Sequence, residues 1–130
     1  MKVEALVPLL NVEDPDRSIA FYTGVLSFQV AQDARADGRT VWAMLRNGGA
    51  TVMINRPDGA NSTQRRNRPG YRDAVLYLYV ESARDVHADL TRRGVAAGAV
   101  EVQPYGMEDF TLRDPDGYEI AIGSPLTRIA

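Results

Sequence analysis

Residues 110–123, FTLRDPDGYEIAIG, are the stretch that decides the fold. Phe110, Thr111 and Leu112 suit a half-buried strand. Asp114-Pro115-Asp116-Gly117 is a tight-turn signal, because Pro fixes φ and Gly opens a position to φ > 0. Tyr118, Ile120 and Ile122 then alternate with Glu119 and Ala121, the period of a strand with two unlike faces. One face reads as core. The other reads as a lining.

Working back from this hairpin, residues 104–107 form a loop, and a short strand is expected around 99–103. Residues 84–93 (RDVHADLTRR) form a helix stopped by Gly94. Residues 73–81 (DAVLYLYVE) form a strand. Before it lies residues 56–72, RPDGANSTQRRNRPGYR, poor in large apolar side chains and read as a linker. Its arginines (Arg56, Arg65, Arg66, Arg68, Arg72) suit a solvated loop; a lid that meets an anionic ligand is the minority reading.

The first half reads the same way. Residues 6–12 form a strand in which Pro8 belongs at an edge. Asp14 caps a helix over 15–25 with Pro15 at its first position. Ile19, Phe21, Tyr22, Val25 and Leu26 form its apolar stripe. Strands follow at 28–32, 40–46 and 50–55, joined by a polar turn at 35–38 and by Asn47-Gly48-Gly49.

Each half therefore reads β-α-β-β-β. A shift of 68 residues places Val12 on Val80, Glu13 on Glu81, Ala20 on Ala88 and Ile54 on Ile122. The shared order of elements is the stronger sign of a repeat. The fold class is α+β: two β-α-β-β-β repeats forming a curved mixed sheet around a cleft, with helices on the outer face. One domain spans 1–130, with repeats at 1–55 and 73–124.

Composition narrows the function. The 130 residues are 45% hydrophobic and 25% charged, a globular composition. The net charge is −2 and the pI near 5.3, which argues against a nucleic-acid partner. No cysteine is present, so disulfides, thiolate metal sites and cysteine nucleophiles are excluded. A cytoplasmic location is the default. No apolar run approaches the roughly 20 residues a membrane span needs, and the N-terminal residues do not fit a signal peptide. The one histidine, His87, is expected either at the surface or packed between helix and sheet, and no Ser-His-Asp set is arranged around it. Gly48-Gly49 is a hairpin turn and not a phosphate loop.

Three segments, VEDPDRSIAFYTGVLSF, YVESARDVHADLTRRGV and FTLRDPDGYEIAI, resemble the vicinal oxygen chelate superfamily: glyoxalase, extradiol dioxygenases, fosfomycin-resistance enzymes and bleomycin-resistance proteins. The resemblance implies four metal-ligand positions in the metal-dependent members. They fall here on Val7, Met53, Val75 and Ala121. Hard divalent cations require imidazole or carboxylate donors, and none of the four supplies one. The resemblance is therefore closest in type to the metal-free bleomycin-resistance-like members. It also implies a homodimer.

Counting by twos from those positions gives the cleft face: Val7, Leu9, Asn11, Thr51, Met53, Asn55, Val75, Tyr77, Tyr79, Glu119 and Ala121. The alternate set (Leu10, Val12, Val52, Ile54, Leu76, Leu78, Val80, Ile120, Ile122) is aliphatic and belongs under the helices. Trp42 and Met44 are placed toward the cleft, aligned near Asp109 and Thr111. Tyr105 and Met107 are expected in a loop that closes over a ligand. The expected ligand-binding residues are Asn11, Trp42, Met53, Tyr77, Tyr79, Tyr105, Met107 and Glu119, with no catalytic or metal-ligating residue and no cofactor. Aromatic rings with a few amides suit an organic-ligand pocket, although such rings more often fill core or a dimer interface. The expected function is metal-free binding of a small aromatic or peptide-like antibiotic or metabolite. The alternative is an isomerase or lyase of the superfamily with an atypical or absent metal and Glu119 as its base. A dimeric scaffold without a ligand is the third reading.

Overall fold

The computed structural model describes residues 1–57 and 74–126. Most of the arginine-rich linker, and Asp73, lie outside the described residues. The chain divides into two compact units, Met1–Arg66 and Asn67–Ala130.

The first unit runs β1 (Leu9–Asn11), α1 (Pro15–Gly24), β2 (Gln29–Ala36), β3 (Arg39–Asn47) and β4 (Ala50–Asn55). Asp14 caps α1: its carboxylate accepts the N–H of Asp16 at 3.1 Å and of Arg17 at 3.3 Å. The cap satisfies donors that a helix start leaves orphaned. Pro15, Ser18 and Tyr22 are the buried residues of α1. Ile19, Phe21 and Val25, expected to bury with Tyr22, are only half-buried, because the helix seats the small Ser18 against the sheet. Tyr22 meets Phe28 edge to face with ring centroids 5.8 Å apart.

Strand order in this sheet is β1-β4-β3-β2, with β1 and β4 parallel and the other pairs antiparallel. Strand β1 is shorter than the expected 6–12. Pro8 has no N–H to give, and it joins the ladder only through its carbonyl, which accepts Met53 N at 2.8 Å. Strand β2 is longer than expected. Arg35 and Ala36 pair with Thr40 and Arg39, and the turn is only Asp37-Gly38, both at positive φ (52° and 76°). That is the backbone of a two-residue hairpin. A register shift opposite Ala34 and Arg35 lets buried Thr40 turn toward α1, where its hydroxyl donates to Asp16 at 2.7 Å.

The second unit runs β5 (Leu76–Tyr79), α2 (Ala83–Arg92), β6 (Glu101–Val102), β7 (Met107–Arg113) and β8 (Glu119–Pro125). Strand order is β5-β8-β7-β6, with β5 and β8 parallel. Ser82 caps α2, and the buried Ala83 N–H donates to Ser124 Oγ at 2.9 Å, tying the helix start to β8. Gly94 follows the helix at φ 78°. Of the two places expected for His87, the ring takes the packed one: it lies 4.9 Å from Phe110, edge on, and Nε2 is 2.9 Å from Gly98 O.

The two units repeat in register. Leu9 faces Met53 across β1 and β4, and Tyr77 faces Ala121 across β5 and β8, both members 68 residues further on. In the first unit the alternation buries one face under the helix, with Leu10, Val12, Val52 and Ile54 buried. In the second, Ile120 and Ile122 are buried, but so is Ala121 on the other face, and Leu76, Leu78 and Val80, expected under the helix, are only half-buried. The α+β class and the mixed sheets agree with the sequence reading.

The hairpin at 114–117 is built on a buried carboxylate. Asp114 Oδ1 accepts the N–H of both Asp116 and Tyr118 at 2.9 Å, and Asp114 is 4% exposed. Gly117 takes φ 90°, which an L side chain would strain. Replacing Asp114 with Ala strands two N–H groups and is expected to cost about 2–3 kcal/mol in urea unfolding. Leu9→Ala, at a residue already 48% exposed, is expected to cost less than about 1 kcal/mol. Equal costs would contradict this ranking.

Candidate functional site

Strand register decides which side chains share a face, because directly opposed residues point the same way. In the first unit, Leu9, Met53 and Met44 form one row across β1, β4 and β3. Asn11, Asn55 and Trp42 form the next. These rows lie on the face opposite the buried aliphatic set. Asn55 Nδ2 donates to Asn11 Oδ1 at 3.1 Å, beside the half-buried Trp42. Arg46 Nη2 reaches Met44 Sδ at 3.5 Å. Trp42 and Met44 thus share a face with Asn55 and Met53.

The second unit carries a different set on the equivalent face. Tyr77 and Tyr79 are neighbours there, with ring centroids 5.3 Å apart and planes at 51°. Asp109 lies across β8 from them, opposite Gly123. The Asp109 side chain is the hub. Its Oδ2 accepts the hydroxyls of Tyr77 and Tyr105, each at 2.8 Å. Its Oδ1 accepts Gln103 Nε2 at 2.8 Å. Asp109 is 5% exposed, whereas Tyr79 and Tyr105 are 72% and 62% exposed. A buried carboxylate is tolerated only when it is paired or hydrogen-bonded, and this one has three donors.

Gly123 makes the arrangement possible. A Cβ built there would fall within 2.8 Å of Tyr77 Cζ and 2.9 Å of Cε1. The Tyr77 ring therefore lies across β8 in space that any side chain would occupy. This is a requirement for close approach and not for an unusual φ.

Glu119 is half-buried on the same face as Ala121 and opposite Arg113. Met107 was expected in a loop closing over a ligand. It is instead the first residue of β7, paired with Pro125 and 7% exposed, because the ladder with β8 extends past the hydrophobic run 110–112. Asp109 and Gln103 were not expected in the site. The signal that could have found Asp109 was Gly123, a residue without a side chain in the middle of an otherwise bulky strand.

The family's metal positions can be tested by their donors. Val7 and Met53 in one unit, and Val75 and Ala121 in the other, offer two alkyl chains, a thioether and a methyl group. They do not fit a hard divalent cation. Among the described residues, no three His, Asp or Glu side chains gather where they could hold a metal ion. No described helix is long and apolar enough to cross a membrane.

Burial pushes the Asp109 carboxyl up, but hydrogen bonds from Gln103, Tyr105 and Tyr77 outweigh it and hold the group below its ordinary range. Burial, then the bond to Asp109, pushes the Tyr77 phenol up, and the bond to Asp109 does the same for Tyr105. A depressed carboxyl stabilises the fold fully above its unfolded pKa of about 4 and loses that contribution as pH falls further. A raised phenol stabilises fully below about pH 10 and loses it as pH rises. The cluster therefore contributes a plateau between these limits. Asp109→Asn is expected to lower stability on the plateau, flatten the acid limb, and bring tyrosinate absorbance in at lower pH. An unchanged alkaline titration in that variant would contradict the network.

The model of the Glyoxalase/Bleomycin resistance protein/Dioxygenase superfamily matches residues 5–122. No curated protein sequence matches the chain. Among solved structures, TnmS3, an antibiotic-binding protein from Streptomyces sp. CB03234, is similar at 23% identity and TM-score 0.72, covering 96% of this chain and 98% of its own. A lactoylglutathione lyase from Agrobacterium tumefaciens is similar at 16% identity and TM-score 0.70, covering 95% and 96%. A glyoxylase/bleomycin resistance protein/dioxygenase domain from Frankia sp. EAN1pec is similar at 25% identity and TM-score 0.70, covering 96% and 93%. A binding protein and a lyase share this fold, so the fold alone does not choose between them. With the family model spanning nearly all of the chain and the repeated β-α-β-β-β units matching in register, the protein belongs to the glyoxalase/bleomycin resistance/dioxygenase superfamily.

Proposed function

We propose that the protein binds a small organic ligand, an aromatic or peptide-like antibiotic or metabolite, without a metal and without breaking a bond. The observation that carries this reading is the Tyr77–Tyr79–Tyr105 group: Tyr79 and Tyr105 are exposed, Tyr77 is half-buried, and the hydroxyls of Tyr77 and Tyr105 are fixed on buried Asp109. Aromatic surface held in place before binding is what a ligand face needs, because less side-chain entropy is lost on association. Trp42, Met53 and Asn11 offer a second surface of the same kind in the first unit: flat apolar area beside an amide pair. Two further considerations support the reading. The family's metal positions carry no donor for a hard cation, and TnmS3 is an antibiotic-binding protein. The same reading carries a cytoplasmic homodimer.

One observation favours a second reading. Glu119 is a half-buried carboxylate on the same face as Ala121, and a carboxylate in that place is a candidate general base for an isomerase or lyase. Glu119→Gln separates the two readings: it abolishes turnover if Glu119 is a base, and it changes only the affinity, with no turnover to lose, if the protein only sequesters.

The chain has one tryptophan, which makes the binding test direct. Titration with bleomycin-type and other aromatic antibiotics is expected to quench or shift Trp42 emission to a stoichiometric end point. Trp42→Phe should remove the signal and leave the circular dichroism spectrum unchanged. No response to any of these compounds would count against the binding reading.

A further inference from the structure

We propose that the Tyr77–Tyr79–Tyr105 face, with two hydroxyl protons committed to Asp109, selects a positively charged planar ligand over its neutral and anionic counterparts. This rests on the binding function proposed above and names the ligand class for the second unit.

Hydrogen-bond polarity limits what the hydroxyls can offer a ligand. A tyrosine hydroxyl has one proton to donate. Tyr77 and Tyr105 both direct theirs to Asp109 Oδ2. What they present to a ligand is then lone pairs and ring faces. Neither can donate to an incoming carboxylate or carbonyl unless its bond to a buried charge is broken. A ligand with N–H donors or a cationic ring loses nothing by comparison.

Ring electronics point the same way. The face of an aromatic ring is negative and attracts cations. A phenol that donates to a carboxylate gains electron density, which deepens that attraction. Tyr79, the most exposed of the three, stands beside Tyr77 and supplies a second ring face.

Fixed charges on the same face add to this. Glu101 is directly opposite Asp109 across β6 and β7, and is exposed. Glu119 shares the face from β8, with Arg113 opposite it as the cation on that side. Arg113 and Glu119 stand together two pairs beyond Asp109 and Gly123 on that face, so the unbalanced charges beside the rings are Asp109 and Glu101. Gly123 completes the arrangement, since only a residue without Cβ lets Tyr77 cross β8 to reach Asp109.

The test uses three probes of one shape at pH 7.5: N-methylquinolinium (cation), quinoline (neutral) and quinaldate (anion). Affinities are read by calorimetry and by chemical shifts of ring-labelled tyrosines in the full chain. The cation is expected to bind about tenfold tighter than quinoline, and quinaldate more weakly still, with the shifts centred on Tyr77 and Tyr79. In Asp109→Asn the preference should collapse toward equality. Because that variant also loses stability, Glu101→Gln and Tyr79→Ala, at exposed positions, provide independent checks, and each should lower the cation preference. Equal affinities for the three probes, or tighter binding of quinaldate, would overturn the charge selection and leave the general binding function standing. Failure of all three to bind, together with silence of Trp42 toward the antibiotics, would overturn both.

Discussion

Each sheet pairs the first strand of its unit in parallel with the last, and the make-up of its open face follows from the register of that pairing. Side chains alternate with a period of two, so a slip of one residue would send every side chain to the opposite face. The aliphatic residues hold the register: Leu10 opposite Ile54, and Leu78 opposite Ile122. With Leu10, Ile54 and Ile122 buried and Leu78 half-buried on one face, Met53 and Trp42 have one face left in the first unit. Tyr77 and Asp109 have one face left in the second. The core therefore specifies the open face by exclusion.

The two open faces are built differently although the backbone repeats. The first relies on adaptable groups, two methionines and an amide pair beside one indole. The second relies on rings locked to a buried charge. Asp109 could not remain ionised at 5% exposure without its three donors, and Tyr77 could not reach it over a residue larger than Gly123. The same contacts satisfy the carboxylate, hold the rings still and settle which way their hydroxyl protons point. Stability and proposed specificity in this unit thus rest on one cluster.

Much of the fold was legible in the sequence because its signals are local. Asp14-Pro15 announces a helix start, Gly94 a helix end, and Asn47-Gly48-Gly49 and Asp114-Pro115-Asp116-Gly117 announce hairpins. Strand ends were less legible. Val30 to Ala36 carries no aliphatic alternation, and all of β2 is exposed, so its length is set by pairing with β3 rather than by its own pattern. The site was legible in part. Period-two counting placed Asn11, Met53, Tyr77 and Tyr79 on the open faces. It could not reveal Asp109, since a lone aspartate in a strand looks the same whether it points to water or into a cluster. Its partners Tyr77 and Tyr105 are 32 and 4 residues away, and only tertiary pairing brings them together. Met107 was misplaced for a related reason: the strand continues beyond its hydrophobic run.

The proposed function makes the superfamily's metal chemistry unnecessary in this member: where relatives would need imidazole or carboxylate, the chain places alkyl groups and a thioether, and the binding surface lies in aromatic rings. The most direct measurement is a calorimetric titration of chelator-treated protein with a bleomycin-type antibiotic, repeated after adding back zinc or manganese. Stoichiometric binding of equal affinity in both conditions is the expected result. Binding that appears only when the metal is restored would contradict it.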